Sequence, residues 1–257
     1  MSVLALASLV AVQAPVTLTY QPKVGTTYKF SMSQSMKNQM GNSSMTATNS
    51  QKVLSSNGGW YKIQSTMTNV KATGGMGGDQ IAKSLEGKPT VMSIDKYGTI
   101  KFEGGGPAGM SQMMGGLNNQ SIGMQFPKKP VKVGETWTNT IDMGAMMATM
   151  MKAQAKGSQP NASGKVTLTF KLLKVDGSSA SISCAISGGV NMTMKAPSGA
   201  QGGPQEMKMN MTMKGTGTYS VERATGMLQR SDMNMNMNMG IMGQQMAMTQ
   251  TISMKRI

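Results

Sequence analysis

Strict alternation between apolar and polar residues is the feature that most constrains the fold of this 257-residue chain. The stretch MNMNMNM, residues 233–239, places a methionine at every second position and an asparagine between. The same period of two recurs in residues 166–172 and 207–213. Successive side chains on a β-strand point to opposite faces, so this pattern predicts strands with one apolar face and one polar face, as in antiparallel sheets.

Two short helices are predicted beside these strands. Residues 79–86 form one candidate, and residues 142–156 form the other, with Asp142 as the N-cap and Gly157 as the stop. Residues 104–119 are rich in Gly and Met and predict a loop. We therefore expect a mainly β (α+β) fold in which a curved antiparallel sheet forms a half-open or closed barrel, with two short helices.

Two signals recur in the same order and indicate an internal duplication. The segment KVGTTY, residues 23–28, returns as KVGETW, residues 132–137, and the turn SIDKYG, residues 93–98, is matched by SVERATG, residues 220–226. Neither half contributes enough strands to close by itself, so a single domain is predicted over residues 15–257. Its two pseudo-repeats span about 15–105 and 127–257, joined by the loop 104–119, with an extra loop at 196–205 in the second half.

The first 14 residues, MSVLALASLVAVQA, predict a cleaved export signal, because an apolar run is followed by a small residue and then Pro15. A buried first strand or helix is the alternative. The run is too short to span a bilayer, and no later segment is apolar enough to do so. We expect an exported protein, periplasmic or extracellular, without a transmembrane segment.

Composition argues against most catalytic chemistry. The chain has no His and one Cys, Cys184, which excludes imidazole catalysis, an intrachain disulfide and a CxxC redox pair. Cys184 alternates with serines and is predicted to be a small buried apolar residue. The ten carboxylates show no acid–base spacing, and turns or helix starts account for five of them. We expect no enzyme, no catalytic residue and no cofactor.

The net charge of +15, with an isoelectric point near 10, suggests a polyanionic partner. Only three of the 25 basic residues are Arg, and the aromatic residues are not interleaved with them. Nucleic acid is therefore not an expected partner. Lysines that solvate the outer faces of strands explain the charge, and weak attraction to anionic envelope surfaces is expected.

The 32 methionines allow several interpretations. Methionine could replace Val and Ile as core filler, since those residues, Leu and Phe make up only about 16% of the chain. It could instead form an adaptable apolar surface for an acyl chain. The residues expected on such a surface are Met209, Met211, Met235 and Met237.

Two further uses of methionine stay open. Thioethers bind soft ions such as Cu(I) or Ag(I). The second helix offers Met146, Met147, Met150 and Met151 for this purpose, although no metal site is assigned from sequence. Sacrificial oxidation to the sulfoxide cannot be distinguished from these uses by sequence.

The segments LTYQPKVGTTY, residues 18–28, and FPKKPVKVGETW, residues 126–137, resemble an uncharacterised family of exported bacterial proteins with a Pro-Val-x-Val-Gly-x-x-Trp motif. The resemblance implies structural roles for Gly25, Gly134, Tyr28 and Trp137, and no catalytic residues. The expected architecture is also loosely similar to the half-barrels of lipoprotein carriers, which hold acyl chains. The leading hypothesis is thus an exported, non-enzymatic binding protein for an apolar or lipid-like ligand; the alternatives are a Met-rich Cu(I)/Ag(I) sequestering protein and a purely structural envelope-associated protein.

Overall fold

A computed structural model describes residues 14–39, 41–74, 78–105, 124–154, 160–195, 206–241 and 244–257. Twelve strands and two helices lie within these ranges. The strands are β1 (Thr27–Asn38), β2 (Gly41–Asn57), β3 (Trp60–Thr73), β4 (Pro89–Asp95), β5 (Ile100–Gly105), β6 (Thr136–Ile141), β7 (Pro160–Ser163), β8 (Val166–Asp176), β9 (Ser179–Lys195), β10 (Glu206–Glu222), β11 (Leu228–Ile241) and β12 (Gln244–Arg256). The helices are α1 (Gly78–Leu85) and α2 (Met143–Gln154).

All twelve strands belong to one antiparallel sheet. Its order is β5-β4-β3-β2-β1-β12-β11-β10-β9-β8-β6, and β7 pairs with β9 beside this path. Within the described residues the sheet is curved but β5 and β6 remain unpaired edges, so the prediction of a curved antiparallel sheet with two short helices is confirmed. The closed form of the barrel is wrong, because no strand bridges those two edges.

β12 joins the two parts of the sheet. It pairs with β1 on one side and with β11 on the other. This last strand therefore connects the strands of residues 27–105 to those of residues 136–241. Pairing of residue 30 with residue 256 is a contact of very high sequence separation. The described strands therefore form one continuous sheet and not two separate sheets.

Both helices are found where they are predicted, within two residues at each end. The Asp142 carboxylate accepts the backbone N–H of Ala145 at 2.8 Å, which confirms the expected N-cap of α2. The predicted loop 104–119 begins too early, because Gly104 and Gly105 belong to β5. The rest of that loop, the loop 196–205 and residues 1–13 of the predicted export signal lie outside the described residues.

The filled core lies toward one end of the sheet, where two extended segments cross it. Val16 and Val131 form an antiparallel bridge, and the Phe126 N–H donates to the Tyr97 carbonyl at 2.9 Å. Leu18, Tyr20, Phe126 and Val131 from these segments are buried together with inward side chains of β1, β8, β9 and β10. This end of the curved sheet is therefore covered, and the long ends of β9–β12 extend beyond it.

Candidate functional site

Methionines form cross-strand rows on the inner face of β10, β11 and β12. Met213 pairs with Met237, which pairs with Met248; we call these three residues the first Met row. Met211 pairs with Met239, which pairs with Met246; these three residues are the second Met row. Directly paired residues on one sheet face have Cβ atoms about 4.5–5.5 Å apart, so the side chains of each row are neighbours.

The four residues predicted for an apolar surface share this inner face. Met211 and Met237 belong to the second and first Met rows, respectively. Met209 pairs with Met192 on β9, and Met235 pairs with Gly215 on β10. Sequence periodicity gives the shared face of each strand but not the register between strands, so it could not identify Met213, Met239, Met246 and Met248 as the other row members.

Two glycines on β10 make room for methionines of β11. A Cβ atom added at Gly215 would stand 3.0 Å from Met235 Cγ, and one added at Gly217 would stand 3.1 Å from Met233 Cγ. The Tyr219 hydroxyl donates to the Met233 sulfur at 3.3 Å. Met233 and Met235 are thus packed over glycine backbone beside the core.

Burial separates the methionines into two groups. Met32, Met146, Met192 and Met227 are buried, as the core-filler interpretation predicts. The six row residues are all partly exposed, and of them only Met213 packs against the core cluster of described residues. The rows form an apolar surface that continues outward from a filled core, a property that core filler does not explain.

The opposite face of the same strands is polar. Asn234, Asn236 and Asn238 alternate with the methionines and are exposed, as the sequence predicts, and the Thr249 hydroxyl donates to Asn236 Oδ1 at 3.0 Å. One strand thus presents thioethers on one face and amides on the other. A groove of about 480 Å³ lies where β9 and β10 approach the β11–β12 connection, bordered by Asn191, Met192, Thr193, Lys208, Met209, Asn210, Gly240 and Gln245.

Charge around the rows has one sign. Lys37 on β1, Lys208 and Lys214 on β10, and Lys165 before β8 are all exposed. Those on β1 and β10 lie on the polar face, opposite the rows, where Lys214 and Lys37 are the direct partners of Asn236 and Thr249. None of these lysines forms a salt bridge among the described residues, where the four ion pairs involve other residues. The stretches 208–217, 233–241 and 244–252 contain no carboxylate. An anionic group would therefore meet no repelling side chain on these stretches.

Three carboxyl groups, those of Glu103, Glu222 and Asp232, have lowered pKa values because neighbouring side chains donate hydrogen bonds to them. Hydrogen bonds from Lys62 and Ser93 lower the pKa of Glu103, and those from Arg230 and Ser253 lower the pKa of Asp232. The Thr225 hydroxyl and then Arg256 lower the pKa of Glu222. Each of these carboxylates is held as an anion by its neighbours, which is the opposite of what a general acid at neutral pH requires.

Cys184 is buried, and burial raises the pKa of its thiol to about 11. The thiol is therefore protonated at neutral pH, as expected for a buried apolar residue. Asp95 caps its turn by accepting the N–H groups of Tyr97 and Thr99 at 2.9 and 2.8 Å, as predicted. Glu86, which the sequence left without a role, accepts the N–H groups of Asn69 and Val70.

The other ligand sites considered from the sequence have fewer described residues to support them. In α2, Met146 is buried and Met147 is partly exposed, while the side chains of Met150 and Met151 lie outside the description. Among the described residues, no three His, Cys, Asp or Glu side chains are grouped to hold a metal ion. No helix in the described ranges is both long and apolar enough to cross a membrane.

These observations define a class of protein: a β-rich chain built on one open antiparallel sheet, with a partly exposed methionine surface beyond a filled core. A family model described as a family of unknown function, DUF6263, matches residues 111–228. The match includes the segment 132–137 but not its earlier counterpart 23–28, and the duplication stays a prediction. It includes Met211 and Met213 and ends before the other four row residues. A comparison with curated proteins gave no match.

Proposed function

We propose that the protein is an exported, non-enzymatic binding protein whose ligand is a lipid-like molecule with an acyl chain. The acyl chain of the ligand lies along the two Met rows, with Met209 and Met235 at the margins of the rows. The observation that carries this proposal is the partial exposure of six methionines on three adjacent strands, outside the filled core. Water contact with such a surface is unfavourable, so covering it with an acyl chain lowers the free energy by roughly 25 cal/mol per Å² of apolar area buried.

The chemistry of the surface suits a flexible apolar chain. Methionine side chains are unbranched and polarisable, so they adapt to ligands of different length and curvature. The half-barrels of lipoprotein carriers hold acyl chains, and the loose similarity of architecture supports the proposal at the level of the fold alone.

Charge complementarity favours an anionic headgroup. The rows carry no carboxylate, and Lys37, Lys208 and Lys214 lie on the polar face of β1 and β10 without ion-pair partners among the described residues. A carboxylate or phosphate at the strand ends is attracted by these lysines from the other side of the sheet, an attraction that is screened over about 8 Å at physiological salt. The ligand is therefore an anionic lipid or fatty acid, in agreement with weak attraction to anionic envelope surfaces.

A dansyl-labelled C11 fatty acid tests the proposal by fluorescence titration. The double variant M211Q/M237Q keeps side-chain length but places two amides on the apolar face, and we expect its affinity to fall about tenfold because polar groups resist burial. The matched control N234Q/N238Q changes the opposite face of β11 and should bind as the unmodified protein does. No fluorescence enhancement with the unmodified protein, or an equal loss in both variants, would overturn the proposal.

A further inference from the structure

Each Met row places three thioethers from three adjacent strands on one line across the sheet. The pairs Met213–Met237 and Met237–Met248 are direct register partners, as are Met211–Met239 and Met239–Met246. Directly opposed Cβ atoms are about 4.5–5.5 Å apart, and each sulfur is two bonds beyond its Cβ. Three sulfurs that share one ion with bonds of about 2.3 Å stand about 4 Å apart. The central residue has a direct neighbour on each side, and the two outer side chains, on strands about 9–10 Å apart, reach this separation by leaning toward β11.

The two rows are separate from each other and from the other methionines of the same strands. They lie two residues apart along each strand, about 7 Å. The Met233 sulfur already accepts the Tyr219 hydroxyl, and Met235 packs over Gly215. Met209 pairs with Met192 and Ile241, and Met254 pairs with Met32 and Ser231, so neither belongs to a row of three methionines. The six row residues are the partly exposed methionines that are arranged as two groups of three.

Donor chemistry selects the ion. Thioethers are soft, neutral ligands that favour Cu(I) and Ag(I), whereas Zn²⁺ and Cu²⁺ prefer imidazole, thiolate and carboxylate. The chain has no His, its one thiol is buried and protonated at neutral pH, and the described residues contain no three-member His/Cys/Asp/Glu group. Lys37, Lys208 and Lys214 lie on the opposite, polar face and are exposed to water, so their repulsion of a cation at the rows is screened by salt.

We infer that the first and second Met rows are two trigonal thioether sites for a soft monovalent cation, Cu(I) or Ag(I). The site rests on the register of β10, β11 and β12 and does not depend on acyl-chain binding. Four of the six row residues lie beyond residues 111–228, the segment that matches the family model.

Silver titration followed by NMR of methyl-labelled methionine gives the most direct test. We expect two Ag(I) per chain and shifts of the ε-methyl signals of the six row residues, while the signals of the buried Met192 and Met227 stay in place. Cu(I) competition with a chelator of comparable, micromolar affinity under reducing conditions should give a dissociation constant of about 1 μM or lower. An absence of competition at micromolar protein, or shifts confined to methionines outside the rows, would overturn the inference.

Variants separate this inference from the proposed function. M237L/M239L removes the central sulfur of both rows and keeps each side chain apolar, so Ag(I) affinity should fall at least about tenfold, whereas the fatty-acid titration of the unmodified protein tests the proposed function on its own. M36L/M45L is the matched control, because the direct partners of Met36 and Met45 are Gln250, Ser43, Gln34 and Ala72. Unchanged Ag(I) affinity in M237L/M239L, or an equal loss in M36L/M45L, contradicts the assignment. The NMR result on the unmodified protein decides the matter if M237L/M239L does not fold.

Discussion

Gly25 and Gly134 make the same pair of backbone hydrogen bonds at opposite parts of the sheet. The Gly25 N–H donates to the Val53 carbonyl at 2.9 Å, and the Gly134 N–H donates to the Leu172 carbonyl at 2.7 Å. In return, the N–H groups of Val53 and Leu172 donate to the residues that follow the two glycines. Val53 and Leu172 are both fully buried and both precede an irregularity in strand register. The equivalence is geometric, and common ancestry of the two halves stays a prediction.

The two glycines have a backbone conformation that other residues rarely adopt. Their φ angles are +83° and +92°, and a Cβ atom at either position would meet no atom within 4 Å. Gly25→Ala and Gly134→Ala should therefore each lower the free energy of unfolding by about 1–2 kcal/mol through backbone strain alone. Urea denaturation measures both values, and we expect them to agree.

Gly226→Ala is the comparison variant. Its φ is +65°, and a Cβ atom there would run into the backbone carbonyl of Thr19, so strain and steric overlap add. We expect a larger loss than at Gly25. A loss at Gly25 as large as that at Gly226 would show that the space around Gly25 is not open.

How much the sequence could predict depended on whether a feature is local. Alternation in residues 166–172 and 233–239 gave the strands and their two faces, and Asp142 gave the start of α2. The pairing of β1 with β12 joins Phe30 to Arg256, and no local pattern carries such a contact. The Met rows could not be predicted for the same reason, since a shift of one residue in register moves every side chain to the other face.

Neither the open edges of the sheet nor the short strand β7 could be predicted from the sequence. Whether a curved sheet closes depends on strand tilt and stagger summed over all strands, which composition does not report. β7 is four residues long and begins with Pro160, a residue that normally argues against a strand. β7 pairs with β9 outside the main strand order. Its proline is tolerated because it is the first residue of the strand.

Alkaline pH should destabilise the protein through Cys184. Burial raises the pKa of its thiol from 9.0 to about 11, so the unfolded chain releases this proton at lower pH than the folded one. The contribution of the protonated thiol to the free energy of unfolding is fully present below pH 9. It is lost progressively between pH 9 and 11, by at most about 2–3 kcal/mol. Cys184→Ala should flatten the slope of the unfolding free energy in this window. Equal slopes for both proteins would exclude the thiol as the cause.

Acid should weaken the contacts of Glu222. The Thr225 hydroxyl at 2.8 Å and Arg256 at 3.3 Å hold the pKa of this carboxyl below its usual value of 4.5. The stabilisation is present above that usual value and is lost as the pH falls through the folded pKa. Glu222→Gln should cost about 0.5–1 kcal/mol at pH 7, a difference that disappears in acid. Thermal unfolding at pH 7 and at successively lower pH checks this; a constant difference would contradict it.

Trp137 should matter more to stability than Trp60. Its ring stacks on the buried Phe170 with centroids 5.6 Å apart, and its Nε1–H donates to the Gln125 carbonyl at 2.8 Å. Trp137→Phe removes that donor and part of the stacked area, which we expect to cost about 1–3 kcal/mol in urea denaturation. Trp60→Phe is the control, because its ring contacts the Lys101 ammonium at the surface, and its cost should be about 0.5 kcal/mol.

Hydrogen peroxide should oxidise the methionines in an order set by their exposure. The row residues are partly exposed, whereas Met227 and Met192 are 2% and 5% exposed, and the oxidant must reach the sulfur. Peptide mass spectrometry over time should find sulfoxide at the six row residues before it appears at Met192 and Met227. In urea all sites should react at similar rates, because the protection comes from folding.

The same oxidation changes the binding surface in a way that separates its two proposed ligands from a structural role. A sulfoxide oxygen is polar and lowers the apolar character of the rows, so the dansyl fatty acid should bind more weakly in proportion to row oxidation. Ag(I) occupies the sulfur lone pairs and should slow oxidation of the row residues, while leaving the rate at Met254, which lies outside the rows, unchanged. If Ag(I) slows oxidation equally at every exposed methionine, the rows have no special affinity for the ion, and the assignment of two soft-cation sites across β10, β11 and β12 is wrong.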